Sequence, residues 1–236
     1  LTKEGVEMVS ENSAAYRPSS GAPIEPGTAR RSLRAAAGVA LLGGLSFFAG
    51  VNRPVVTEWA NAADADDKAR QIAIAVGNAS EFTLAWVLMG IGFILIGIGL
   101  GLWGWHVARL ETRRLAVLAR VLAVVVTIGG LGLGLVRAII PFVSLERAAA
   151  GDQVLDTVGL VGSTSLWIGF IGFGILTWRG PAPRWLSVFL ALTGLAFALL
   201  PIPAWFMLDA LVFGLVGVIH FRRSWPRKAL RPASTT

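Results

Sequence analysis

Apolar residues run along this chain in long blocks, without the alternation of a strand or the half-polar striping of a soluble helix. AAAGVALLGGLSFFAGV and FTLAWVLMGIGFILIGIGLGLWGW are two such blocks, and others follow at short intervals. A hydrocarbon core of about 30 Å takes about 20 helical residues at 1.5 Å each. The pattern therefore predicts an all-α, polytopic transmembrane helix bundle of six spans, at about 33–52, 82–105, 115–143, 156–178, 184–201 and 204–221. Pro201 and Pro203 leave only a tight reversal between the last two, because proline does not continue a helix smoothly.

Polar segments frame these blocks. Residues 1–29, rich in Ser, Ala, Pro, Gly and Glu without apolar periodicity, read as a disordered tail, residues 30–223 as the six-helix domain and 224–236 as a basic tail. The chain opens on Leu1, and Met8 offers an alternative start. Arg30 and Arg31 before an apolar run loosely match a twin-arginine export signal, but no small-residue cleavage site follows closely, and a first span with a basic flank fits better. The stretch 53–81, with its NAADADDKARQ, reads as an outer loop in which helix propensity favours a short helix.

Composition agrees with a membrane protein: 55% of residues are apolar, 15% are charged and mean hydropathy is positive. The net charge of +7 would suggest nucleic acid only if clustered on one folded face. It follows topology instead. Of the 21 Lys and Arg, 16 fall in segments that six spans would place inside, and four, Arg53, Lys68, Arg70 and Arg147, fall outside with eight acidic residues. The positive-inside rule then puts both termini in the cytoplasm, with the basic inner loops and C-terminal tail against anionic headgroups and no nucleic-acid partner. Arginine-, alanine- and glycine-rich usage fits a GC-rich bacterial genome, so the bacterial cytoplasmic membrane is the expected location. Trp103, Trp105, Trp178, Trp185 and Trp225 fall at expected inner ends and Trp86 and Trp205 near outer ones, at headgroup depth, whereas Trp167 sits deep in a span.

Glycine suggests how the spans meet. Gly97 and Gly101 in the second, and Gly130 and Gly134 in the third, are four residues apart on one helix face, where small residues admit a close neighbour. No repeat relates the first three spans to the last three, so an inverted-repeat transporter is not predicted.

Three charged residues lie within spans. Arg120 is about one turn from the inner end, where its stem carries the charge to the interface. Arg137 lies about 10 Å below the outer boundary, and Asp209, in the sixth span, about 9 Å below it. Buried charges in lipid face the bundle and pair, so an ion pair between Arg137 and Asp209 is expected; it either sets helix register or marks a transport site. Arg137 reaching outward to Glu81 or Asp156 is the other reading. His220 shares a helix face with Asp209, but no carboxylate bridges the apolar turns between them.

Catalytic and metal chemistry find little support. Cysteine is absent, and His106 and His220 are the whole imidazole complement, so neither a thiolate metal site nor a histidine-rich one is expected, and no cofactor is implied. GSTS at 162–165 with a histidine on the sixth span resembles rhomboid-type intramembrane serine proteases. The likeness breaks where Thr164 replaces the nucleophile and where Ser163 and His220 differ in depth by about 12 Å, beyond hydrogen-bond reach. There is no HExxH and no GxxxxGK[ST], and the glycines of GIGFILIGIGLGLWG lack a preceding strand, so they are not a nucleotide fingerprint.

GFIGFGILTWRGPAPRWLSVFLALTGLAFALLP, in which Pro183, Arg184, Trp185 and Leu186 open a span after a short basic loop, resembles the corresponding part of an uncharacterised six-helix bacterial integral membrane family carrying a domain of unknown function. LETRRLAVLARVL between the second and third spans is similar too. The resemblance implies six helices and no activity. The reading is a non-enzymatic membrane protein, an accessory or partner-binding subunit with a membrane-protein partner; the alternative is a small-solute or proton-coupled transporter using Arg137 and Asp209.

Overall fold

The structure is a computed structural model and describes residues 26–110, 113–143 and 153–178, together with residues 187, 188, 190–192, 194 and 195. Every element among them is helical: α1 (Pro26–Val51), α2 (Pro54–Asp64), α3 (Lys68–Gly77), α4 (Ala79–Leu110), α5 (Arg113–Ile139) with a 3-10 turn at Ile140–Phe142, and α6 (Gln153–Trp178). Three stretches, Ala79–Arg109, Arg114–Phe142 and Thr157–Leu176, are long and apolar enough to cross a membrane; α1 and α2 together make a fourth candidate, bent by 69°. The expected spans 184–201 and 204–221, the tails 1–25 and 224–236, and the Pro-Arg-Trp-Leu motif lie wholly or largely outside the described residues.

Two boundaries differ from expectation. α1 starts at Pro26, four residues inside the stretch read as tail, because proline suits the first helical position and ARRSLRAAA beyond it is made of good helix formers. The segment 53–81 holds two helices and the start of a third, not one short helix in a loop. Arg53, extended at φ −76° and ψ 136° as a residue before proline prefers, breaks the chain between α1 and α2. Asp66, at φ 52°, closes α2: the Asp66 N–H donates to the Ala63 carbonyl and the Asp67 N–H to Ala62, a left-handed cap that aspartate tolerates. The Asp67 carboxylate then accepts from the Arg70 N–H at 3.0 Å and starts α3. α5 stops at Ile139 because Pro141 has no N–H to continue it.

The long helices pack in chain order, α1 on α4, α4 on α5 and α5 on α6. α4 carries the two stripes that make this possible. Ala85, Met89, Gly92, Ile96 and Gly99 meet α1, and Gly90, Ile94, Gly97, Gly101 and Gly104 meet α5. Both stripes advance by alternating threes and fours, the 3.5-residue period of shallow left-handed packing. Gly97 and Gly130 bring the α4 and α5 backbones into contact: a Cβ on Gly130 would lie 2.6 Å from the Gly97 Cα. Between α5 and α6, Gly129 and Gly162 play the same part, a Cβ on Gly129 falling 2.9 Å from the Gly162 carbonyl oxygen. Ser187 and Ala191 continue the series, since a Cβ on Gly174 of α6 would meet the Ser187 oxygen and the Ala191 nitrogen, each at 2.8 Å.

Larger side chains fill the space between these crossings. Phe47, Met89, Phe93, Ile96, Leu166 and Phe170 are almost wholly buried, with Phe47 and Phe93 edge to face at 4.7 Å. Hydroxyls add interhelical bonds: Ser46 of α1 donates to the Leu88 carbonyl at 2.8 Å, and Thr127 Oγ1 donates to Ala123 at 2.8 Å while lying 3.3 Å from the Gly97 oxygen. On the free side of α5, Val117, Val121, Val124, Ile128, Leu131 and Leu135 form one exposed apolar stripe. That surface would drive association in water and is what a lipid-facing helix presents.

Candidate functional site

α2 is held at the end of the bundle by aromatic contact. Its inward positions Val55, Val56, Trp59 and Ala62 follow helical spacing, and Trp59 lies edge-on to Trp86 of α4 at 5.2 Å and 6.3 Å from Phe82. Phe82 and Trp86 are themselves 5.6 Å apart. Such pairs contribute about 0.5–1.5 kcal/mol each beyond the area they bury, enough to orient a short helix that would not be stable alone. Arg53, at the α1–α2 break, lies 3.9 Å from Glu81 in the first turn of α4. Acidic charge there also suits the helix dipole.

Arg137 approaches the same cluster from α5. Its guanidinium carbon lies 4.9 Å from the centre of the Trp86 ring, in cation–π contact. Gly130 and Gly134 bring this about: Gly134 seats α5 on the Gly90 carbonyl and Ile94 of α4, and one turn later Arg137 meets Trp86, one turn before Gly90. Gly130, Gly134 and Arg137 thus lie on one face of α5, with α4 as the helix they face. Asp209, the expected counter-ion, and His220 lie outside the described residues. Of the two other candidates for Arg137, Glu81 stands beside Arg53, and the side chain of Asp156 lies outside the described ones.

The remaining candidates also have definite positions. Gly97 meets Gly130, but Gly101 meets the Thr127 hydroxyl and Gly134 meets Gly90, so the four glycines do not form two mutual pairs. Ser163 and Ser165 donate to the carbonyls of their own helix, Leu160 at 2.9 Å and Val161 at 2.7 Å, and Ser165 also abuts Gly129. Both hydroxyls are bonded within their own helix. Among the described residues no group of three His, Asp or Glu could hold a metal ion.

The chain matches no protein-family model, no curated protein and no solved structure. The six-helix family resemblance therefore rests on its own residues.

Sequence reasoning missed the Trp59–Trp86–Arg137 stack and the glycines facing α1. The signal for that seam was present at a spacing of seven, Gly43 and Gly50 on α1 and Gly92 and Gly99 on α4. No comparable signal exists for the stack, since Trp59 and Arg137 are far apart in sequence. At the opposite end of α4 and α5 the structure lays the Arg120 guanidinium over Trp105, 5.9 Å from the ring centre, where the sequence suggested only an arginine extended to the interface.

Proposed function

We propose that this chain is a non-enzymatic, six-span protein of the bacterial cytoplasmic membrane with both termini inside, acting as an accessory or partner-binding subunit. The observation that carries this reading is the tightness of the bundle. Backbones touch at Gly97 and Gly130, large side chains fill the interior between crossings, and the α2–α3 hairpin is fixed to α4 through Trp59. Such a body suits the presentation of a fixed surface. The outward residues of the hairpin, Glu58, Asn61, Lys68 and Arg70, are polar and exposed. They form the face offered to a partner.

One observation favours the second reading, a small-solute or proton-coupled transporter. Arg137 is turned into the bundle toward α4, and the depth argument puts Asp209 at its level. Co-purification after mild solubilisation separates the two. A stoichiometric membrane-protein partner supports the accessory role. A chain that elutes alone, with proteoliposome flux abolished by Arg137→Ala and by Asp209→Asn, overturns it in favour of transport. Topology is tested separately: with no native cysteine, single cysteines at Asn61 and Ser234 should label from outside and only after permeabilisation, respectively, with a membrane-impermeant thiol reagent.

A further inference from the structure

We propose that the arginine-rich end of the α4–α5 seam is a binding site for an anionic phospholipid, with Arg109 and Arg120 holding the phosphodiester and Trp105 positioning Arg120. The inference rests on the membrane reading above and sharpens its general contact with anionic headgroups into a site. The cations are unspent: among the described residues neither Arg109 nor Arg120 forms an ion pair, and both are exposed. Arg120 is nonetheless oriented, because its guanidinium lies over the half-exposed Trp105 ring at 5.9 Å. A guanidinium held over a ring by cation–π attraction spends no N–H donor on that contact, so its planar fork stays free to take phosphate oxygens two at a time. Arg109 lies four residues beyond Trp105 on the same face of α4, about 6 Å along the axis, near enough for both cations to reach one headgroup.

The surface on the bilayer side of these residues is apolar. Leu102 on α4 and Val121 and Val124 on α5, the latter two on the exposed stripe of α5 beside the seam, are exposed there, so acyl chains could lie beneath the headgroup. The segment 105–120 as a whole, WHVARLETRRLAVLAR, has four arginines against one glutamate. That charge selects an anionic lipid over a zwitterionic one, whose own cation would oppose the arginines. It also selects a lipid over free phosphate, which would leave the apolar part of the seam unfilled.

The test uses the full chain, purified in neutral detergent, with bound lipid counted by native mass spectrometry after addition of phosphatidylglycerol, phosphatidylcholine or inorganic phosphate. The chain should retain phosphatidylglycerol preferentially. The R109Q/R120Q variant should lose about thirtyfold in apparent affinity, at about fivefold for each arginine near a membrane surface. Arg70→Gln, at the other end of the molecule, should lose nothing. Trp105→Leu should weaken retention severalfold with both arginines present, whereas Arg120→Lys should restore only part of it. Equal retention of phosphatidylglycerol and phosphatidylcholine, or an unaltered R109Q/R120Q variant of native helicity, overturns the site. Displacement by millimolar inorganic phosphate overturns the assignment to lipid. Failure of the membrane reading itself would appear differently, as release of the chain from vesicles of either lipid by an alkaline wash.

Discussion

Gly130→Ala adds one methyl at a backbone crossing of the α4–α5 seam. The new Cβ would stand 2.6 Å from the Gly97 Cα and 2.7 Å from the Phe93 oxygen, and both are backbone atoms that no rotamer change can move. Carbon atoms rest about 3.5–4.0 Å apart, so the helices must part by about 1 Å. A seam of about 40 atom pairs at about 0.15 kcal/mol each, losing about a third of its attraction over such a gap, forfeits about 2 kcal/mol. Alanine returns about 1 kcal/mol through its greater helix propensity. The variant should therefore be less stable by about 1 kcal/mol. Gly38→Ala is the matched control, since nothing lies within 4 Å of its new methyl; it should be more stable by up to about 1 kcal/mol. The difference of about 2 kcal/mol between two identical substitutions isolates the seam. Reversible unfolding in mixed micelles, followed by circular dichroism against denaturing detergent, measures it. Adding Gly97→Ala to Gly130→Ala should cost less than the sum of the two, because the first methyl has already separated the helices. Equal stability of Gly130→Ala and Gly38→Ala would refute the backbone contact.

Trp59→Ala removes the rings' hold on α2; at about 2 kcal/mol, amides of α2 and α3 should exchange about thirtyfold faster while α4 and α5 are unchanged in a hydrogen-exchange experiment. Arg137→Gln and Trp86→Leu should show a coupling energy of about 1–2 kcal/mol in a double-mutant cycle of unfolding stability, and strict additivity would remove the cation–π contact. Arg137→Asp and Asp209→Arg should each reduce the folded yield, and the double reversal should recover it if the two charges pair; no recovery counts against the pair. Asp67→Ala should weaken the start of α3 by about 1 kcal/mol, seen as faster exchange of the Arg70 amide with the rest of the hairpin little altered.

The helical class and the long apolar helices were legible because a bilayer requires every backbone polar group to be satisfied within its own segment, and length plus hydropathy is enough to mark such a segment. Pro141, which stops α5 at Ile139 for an equally local reason, was not read as a break, since the expected third span ran through it to 143. The close seams were partly legible. Spacing shows that Gly97 and Gly101, or Gly130 and Gly134, share a face, but antiparallel register decides that Gly97 meets Gly130 while Gly101 meets Thr127. The α2–α3 hairpin was read as a loop with one short helix because its Ala/Asp-rich stretch carries little hydropathy, and what fixes α2 is contact with Phe82 and Trp86 on another helix.

Arg137 shows where the division falls. From sequence alone come its place in a membrane-length helix and its face, since each depends only on position along one helix and that helix's 1.5 Å rise and 3.6-residue turn. That the face turns toward α4, and that an indole covers the guanidinium there, only the tertiary structure decides. Such a contact joins residues 51 positions apart, and it exists because the Gly134 crossing brings two helix axes close enough for one side chain to reach another.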